Sequence, residues 1–275
     1  MANGAQAGII TVFERSERGC RMILAVDIGN SNVCIGGLEG QRVLFTTRMV
    51  TRPRCTEDEY TAELKFLLSR RKIAPTAFAG AIVCSVVPGL TPVLAAACRR
   101  LTGLAPLLVT SALQSGLTLA VDEPERVGHD RIADAAAAAA LYPLPCMTVD
   151  LGTATTYNVI DGSRRFLGGF IVPGVQTSLR AISAGTAQLP PIAPETPDGL
   201  IGRNTVDALN NGAMFGTAAM LDGLAQRVEE SLGVPLTVVA TGGLAPCITP
   251  CCRRPVRYDA ELLFRGLAIL YEKNT

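Results

Sequence analysis

One segment near the start of the chain recurs, with the same order of residue types, near its middle. Residues 26–40 read VDIGNSNVCIGGLEG and residues 149–162 read VDLGTATTYNVIDG. Each runs from apolar residues into an aspartate, Asp27 or Asp150, then an aliphatic residue and a glycine. Each continues with small hydroxyl or amide residues, a second apolar run, an acidic residue and another glycine. An apolar run that stops at a glycine is a buried strand entering a tight turn. A second strand-like run follows each glycine, so the turn opens a hairpin. A simple dinucleotide-binding unit would open a helix there instead.

The downstream order repeats as well. After the first copy come the strand RVLFTTRMV and an amphipathic helix over Thr56–Arg71, with Thr56 and Glu59 spaced as a capping box. The strand FAGAIVCSVV, a helix over Thr91–Leu101, the strand PLLVT and an alanine-rich helix over Asp130–Leu141 follow. After the second copy come the strand RRFLGGFIVPG, a helix over Val175–Ala187 and a proline-rich loop over Pro190–Pro197. One long or two short helices over Thr205–Leu232, the strand LTVVATGG and a closing helix over Leu262–Lys273 complete the chain. This order predicts a duplicated α/β fold, with domains at residues 22–141 and 142–275. Residues 1–21 precede the first core strand without a capping or packing pattern. They read as a dispensable extension, with Met22 as the functional start.

The 275 residues suffice for two such domains. A net charge of +1 and the absence of any basic run give no footprint for nucleic acid. Nine cysteines, an odd number, read as the reduced thiols of a cytoplasmic protein. A single histidine excludes a multi-histidine metal site, and Cys247, Cys251 and Cys252 lack further ligands for one of their own. The uncharged stretch Ala77–Cys98 is long enough to span a bilayer. Pro88, Gly89 and Pro92 divide it into strand, turn and helix, so no membrane segment is expected. No apolar signal-peptide core is visible at the N-terminus.

The repeated turns have a chemistry. Without a Cβ, glycine lets the backbone approach a ligand. Successive N–H groups with Ser, Thr or Asn side chains suit phosphate oxygens, and an aspartate at the strand end can hold a cation. Two such turns facing each other would grip a polyphosphate and its metal. A third, ATGGLAP over residues 240–246, could admit a nucleotide base or its α-phosphate. This pattern resembles the acetate and sugar kinase, actin and chaperone ATPase superfamily, in which two ribonuclease-H-like domains clamp ATP. The segments DIGNSN, GHDR, DLGTATT, GGFIVPG, IGRNT and ATGG, in that order, resemble the type III pantothenate kinases from Met22 to near the C-terminus. The resemblance implies ATP-dependent phosphorylation of pantothenate, the first step of coenzyme A synthesis. It also implies Mg2+, a monovalent cation (K+ or NH4+) and a homodimer with the substrate site near its interface.

By that resemblance Asp27, Ile28, Gly29, Asn30, Ser31, Asn32, Val33, Cys34 and Thr153 contact ATP. Asp27 faces the Mg2+ through water, and Ser31 replaces the family's usual Thr but keeps its hydroxyl. Read from its position alone, Asp27 can equally cap its own turn. Asp130 of GHDR matches the general base, although an acid is also favoured at a helix start. Gly128, His129, Arg131 and Thr205 match the substrate site together with Asp130. Arg131 can donate to substrate or form a salt bridge, and Thr205 can contact substrate or act as an N-cap. His129, where the family commonly has a small residue, reads as structural or solvent-facing. Asp150 matches the monovalent-cation ligand. Val121 stands near the place of a family aromatic, in a loop made acidic by Asp122, Glu123 and Glu125. That departure leaves open a kinase for another small hydroxy compound. A non-catalytic regulator on the same fold is the other alternative, and the joint presence of Asp27, Asp130 and Asp150 argues against it.

Overall fold

The computed structural model describes residues 22–275, so the expected extension lies outside the described residues. Strand β1 (Met22–Ile28) turns into β2 (Asn32–Glu39), which returns as β3 (Arg42–Val50). Helix α1 (Glu57–Arg70) starts with the expected capping box. Glu59 N–H donates to Thr56 Oγ1 at 3.3 Å, and Thr56 N–H donates to the Glu59 carboxylate at 2.8 Å. There follow β4 (Phe78–Ser85), α2 (Thr91–Thr102), β5 (Leu107–Leu108), β6 (Thr118–Leu119) and α3 (His129–Leu141). The strand expected at PLLVT is thus reduced to two residues. The second copy comprises β7 (Cys146–Leu151), β8 (Ala154–Ile160), β9 (Arg165–Pro173) and α4 (Val175–Ala184). Next come α5 (Thr205–Leu232), a single continuous helix, β10 (Thr237–Thr241), α6 (Ala245–Ile248), β11 (Arg257–Tyr258) and α7 (Leu262–Asn274). The stretch Ala77–Cys98 is β4, a turn and most of α2. No helix among the described residues is long and apolar enough to cross a membrane.

The two sheets repeat each other. The first has the order β3-β2-β1-β4-β5, and the second contains β9-β8-β7-β10-β11, the same sequence of partners. The hairpins are antiparallel, and β1–β4 and β7–β10 are parallel. Asp27, second from the end of β1, lies opposite Cys34 of β2 and Cys84 of β4. Asp150, second from the end of β7, lies opposite Thr156 of β8 and Thr241 of β10.

The halves also exchange elements. The short β6 joins the second sheet beside β9. Helix α7 returns to the first, where Phe264, Leu267 and Leu270 pack with Ala25, Ile82, Ala133 and Ala136. Helix α3 lies between the two sheets. Its Ala133 and Ala136 meet α7 and the first sheet, while Ile132, Ala135, Ala138 and Ala139 pack with Cys146, Ile160 and Phe166 of the second. Small side chains on both faces are what such close approach requires. At the α3–α7 crossing even glycine is needed, because a Cβ on Gly266 would lie 2.0 Å from the Ala133 carbonyl oxygen. The alanine-rich helix thereby carries its first turn, with Asp130, into the space between the repeated turns.

Candidate active site

The first turn is held by its own backbone and by the end of β3. Gly29 N–H donates to the Asn32 carbonyl at 3.0 Å, Thr51 N–H to the Ser31 carbonyl at 3.0 Å, and Thr51 Oγ1 to the Gly29 carbonyl at 2.7 Å. Asn30 and Ser31 are exposed there. Ile28 and Val33 are wholly buried in the first core, so of these two expected ATP contacts only the backbone is available. Ser31 Oγ lies 2.9 Å from Thr153 Oγ1, which brings the two repeated turns into direct contact. The third turn closes on the second aspartate. Gly242 has φ +92°, and a Cβ on it would come within 2.5 Å of Asp150 Oδ1. Only glycine serves there, for conformation and for space.

Carboxylates converge where these turns meet. Asp27 ends with its Oδ1 buried and without a hydrogen-bond partner. Its carboxyl is pushed up to about 8, by burial first and then by the charges of Asp130 and Asp150. Asp150 is pushed up to about 7, by burial and then by Asp130. Burial also raises Asp130, against the pull of the Arg131 N–H, which donates to Asp130 Oδ1 at 2.8 Å. A Cβ on Gly128 would lie 2.6 Å from that same oxygen. The glycine of GHDR therefore makes room for the carboxylate two residues on.

Asp134, one helical turn beyond Asp130, was not singled out by sequence reasoning. It is 2% exposed, its Oδ1 has no partner, and burial followed by the charges of Asp150 and Asp130 raises it well above the usual carboxylate range. Its signal was the i, i+4 spacing from Asp130 on a face otherwise made of alanine. So many acids together must either keep protons or take up a cation. Among the described residues no three His, Cys, Asp or Glu side chains form a ready-made metal cage. Mg2+ bound with a nucleotide needs no such cage, because one or two carboxylates, water and phosphate oxygens complete its shell. The unpartnered Asp27 oxygen beside a phosphate-type turn fits that requirement.

The remaining expected residues divide. Arg131 forms no salt bridge among the described residues; its Nε donates to Asn158 Oδ1 at 2.6 Å. His129 Nδ1 donates to the Ser85 carbonyl at 3.1 Å, which ties the start of α3 to the end of β4. The reading of Thr205 as an N-cap is corrected. Asn204, with extended backbone, is the cap, and its Oδ1 accepts from Asp207 N–H at 2.9 Å. Thr205 is the exposed first residue of α5. Cys34 is half-buried, and burial and then the Asp27 charge push its thiol up to about 11. Val121 packs with Val127, Ile160 and Phe166. In its acidic loop, Glu123 is paired with Arg126 at 3.1 Å.

A sequence model described as type III pantothenate kinase matches residues 23–227. The chain belongs to the type III pantothenate kinase family. Relatives of that name agree over nearly their whole length. The type III pantothenate kinase of Exiguobacterium sibiricum is 40% identical over 253 residues, covering 92% of this chain and 100% of the relative. That of Geobacillus thermodenitrificans is 37% identical over 254 residues, covering 92% and 98%. Among solved structures, a Campylobacter jejuni protein grouped with the Baf family of transcriptional activators matches with a TM-score of 0.57 at 21% identity, covering 90% of this chain and 97% of that one. Component A of (R)-2-hydroxyglutaryl-CoA dehydratase from Acidaminococcus fermentans matches with a TM-score of 0.54 at 12% identity, covering 91% and 97%. These two likenesses bear on the fold alone, the duplicated α/β architecture that the type III pantothenate kinase sequence had implied.

Proposed function

We propose that this type III pantothenate kinase transfers the γ-phosphoryl group of ATP to the primary hydroxyl of pantothenate. The products are 4′-phosphopantothenate, the first intermediate towards coenzyme A, and ADP. The observation that carries this reading is the convergence of Asp27, Asp130 and Asp150 at paired phosphate-type turns. Asp130 accepts the hydroxyl proton as the oxygen attacks the γ-phosphorus and the bond to ADP breaks. Burial raises its carboxyl above the usual carboxylate range, which makes it a stronger proton acceptor. In phosphoryl transfer most of the acceleration comes from positioning and charge stabilisation. The backbone of residues 27–34 and the hydroxyls of Ser31 and Thr153 bind the phosphates. Asp27 would hold Mg2+, which would supply charge neutralisation on the phosphates. Asp150 would hold K+ or NH4+. Gly128, Arg131 and Thr205 contact the acceptor, and His129 keeps their segment in place.

Further parts of the reading follow from the same features. The boundary between the two ribonuclease-H-like domains falls near residue 141, and residues 1–21 are dispensable. Exposed apolar side chains at Ile171, Ile182, Leu200, Ile201 and Val206 support association into a homodimer. Eight free cysteines among the described residues support a cytoplasmic location. No nucleic-acid or membrane partner is needed.

The test is ADP release from ATP with pantothenate as acceptor, coupled to detection of the phosphorylated product. Formation of 4′-phosphopantothenate supports the assignment. Val121, where the family has an aromatic, favours one second reading: turnover with another small hydroxy compound and none with pantothenate would replace the acceptor. Folded protein with no turnover on either would favour a regulator.

A further inference from the structure

We infer that Asn158, backed by Thr148, is a positioning residue that fixes Arg131 with its two outer nitrogens turned to the acceptor beside Asp130. The inference rests on the proposed kinase reading and adds to it two residues outside the family-type motifs.

Asn158 of β8 and Thr148 of β7 lie directly opposite each other in the antiparallel ladder, on one face of the second sheet. Both are fully buried. Asn158 Nδ2 donates to Thr148 Oγ1 at 2.9 Å, and Asn158 Oδ1 accepts from Arg131 Nε at 2.6 Å. The chain of bonds has one direction. Only the amide oxygen can accept from a guanidinium, so the amide nitrogen must find an acceptor elsewhere, and Thr148 supplies it. A buried amide that lost this acceptor would have an unsatisfied donor and a reason to rotate. The fully buried Phe166 completes the clamp, with its ring centroid 5.5 Å from Arg131 Cζ. Amide and ring thus hold the guanidinium at one edge and on one face.

The partner chosen is neutral. Arg131 forms no salt bridge among the described residues, and the hydrogen bonds it makes there use its backbone N–H and Nε, not Nη1 or Nη2. A carboxylate at position 158 would hold the arginine equally well but neutralise it. With an amide, the guanidinium answers only to the charge of Asp130 beside it, and its planar fork suits the oxygens of an anionic acceptor. Pantothenate carries such a group in its carboxylate. Placing two polar side chains in the interior of a sheet is costly unless they are paired, and this pair extends to a residue adjoining the proposed base.

The experiment compares wild type with Asn158→Leu, Thr148→Val and Thr148→Ser. It measures KM for pantothenate and for ATP, the melting temperature, and the side-chain Nε–H signal of Arg131 by 15N NMR. Asn158→Leu should raise KM for pantothenate about tenfold or more, with KM for ATP within about twofold. Thr148→Val, which never touches Arg131, should raise it about threefold and remove the protection of the Nε–H from solvent exchange. Thr148→Ser, which keeps the hydroxyl, should restore both. If Asn158→Leu fails to fold, the Thr148 pair decides. An unchanged KM for pantothenate in Thr148→Val, or equal rises for both substrates, would overturn the inference. A wild type inactive on pantothenate would remove the kinase reading instead. In that case an Nε–H protected in wild type and exposed in Thr148→Val upholds the positioning, and an unprotected one overturns it.

Discussion

The first sheet offers its aspartate two thiols as register neighbours, and the second offers two hydroxyls. Asp27 sits between Cys34 and Cys84, and Asp150 between Thr156 and Thr241, at the same step of the same strand order. A thiol is a weak donor, so the single Cys84 contact does little for the Asp27 charge, and one carboxyl oxygen remains without a partner. Both acids are pushed up, Asp27 to about 8 by burial and then by the charges of Asp130 and Asp150, and Asp150 to about 7 by burial and then by Asp130. The same backbone turn thus places its carboxyl among different side chains in the two copies. In the proposed enzyme the first copy serves Mg2+ and the second a monovalent ion.

The largest expected effect falls on the residue that both copies face. Asp130 raises Asp27 and Asp150 alike, so its loss should not distinguish them. Asp130→Asn keeps the shape and removes the proton acceptor. Turnover should fall on the order of a hundredfold or more, with an unchanged circular dichroism spectrum. Near-normal turnover would remove Asp130 from the role of base.

A smaller effect should appear in stability. Carboxyls raised on folding bind protons that the unfolded chain has released. Their contribution is fully present below about 4, where the unfolded carboxylates titrate, and is lost as pH rises through about 7 to 8. Without divalent cation or nucleotide, the melting temperature should fall by roughly 5 °C between pH 5 and pH 8.5. Adding Mg2+ with ATP should flatten that slope, and a flat profile in its absence would show that the cluster is not strained by charge. Smaller again is the effect of making the first copy resemble the second. Cys84→Ser places a stronger donor beside Asp27 and should shallow the slope by about a third. An unaltered slope would show that the Cys84 side chain does not bear on the Asp27 charge.

Much of this was legible in the residues. The recurrence of Asp27 and Asp150 in matching contexts carried the duplication, and the GHDR segment located the helix start that meets both turns. The Thr56–Glu59 capping box was readable because it is local. What escaped depends on long-range packing. The strand β6 joins the second sheet through two residues with no apolar period of their own. Helix α7 returns across the whole sequence to the first sheet, guided by Gly266, whose role appears only against Ala133. Thr205 looked like a cap, but Asn204 has the extended backbone and the side-chain bond that define one. Asp134 and Asn158 carry no motif. Their meaning comes from burial, which a single sequence does not display.

The most direct test of the division between the two copies is a cation titration of wild type, Asp27→Ala and Asp150→Ala, all at fixed ionic strength so that screening is constant. Pantothenate phosphorylation is measured while K+ replaces Na+, and separately while Mg2+ is varied. Wild type should work faster in K+ than in Na+. Asp150→Ala should lose that difference and keep its Mg2+ midpoint within about twofold, whereas Asp27→Ala should lose Mg2+ affinity by about tenfold or more. If Asp150→Ala keeps the K+ response, or if both variants lose Mg2+ affinity equally, the two aspartates do not serve different cations.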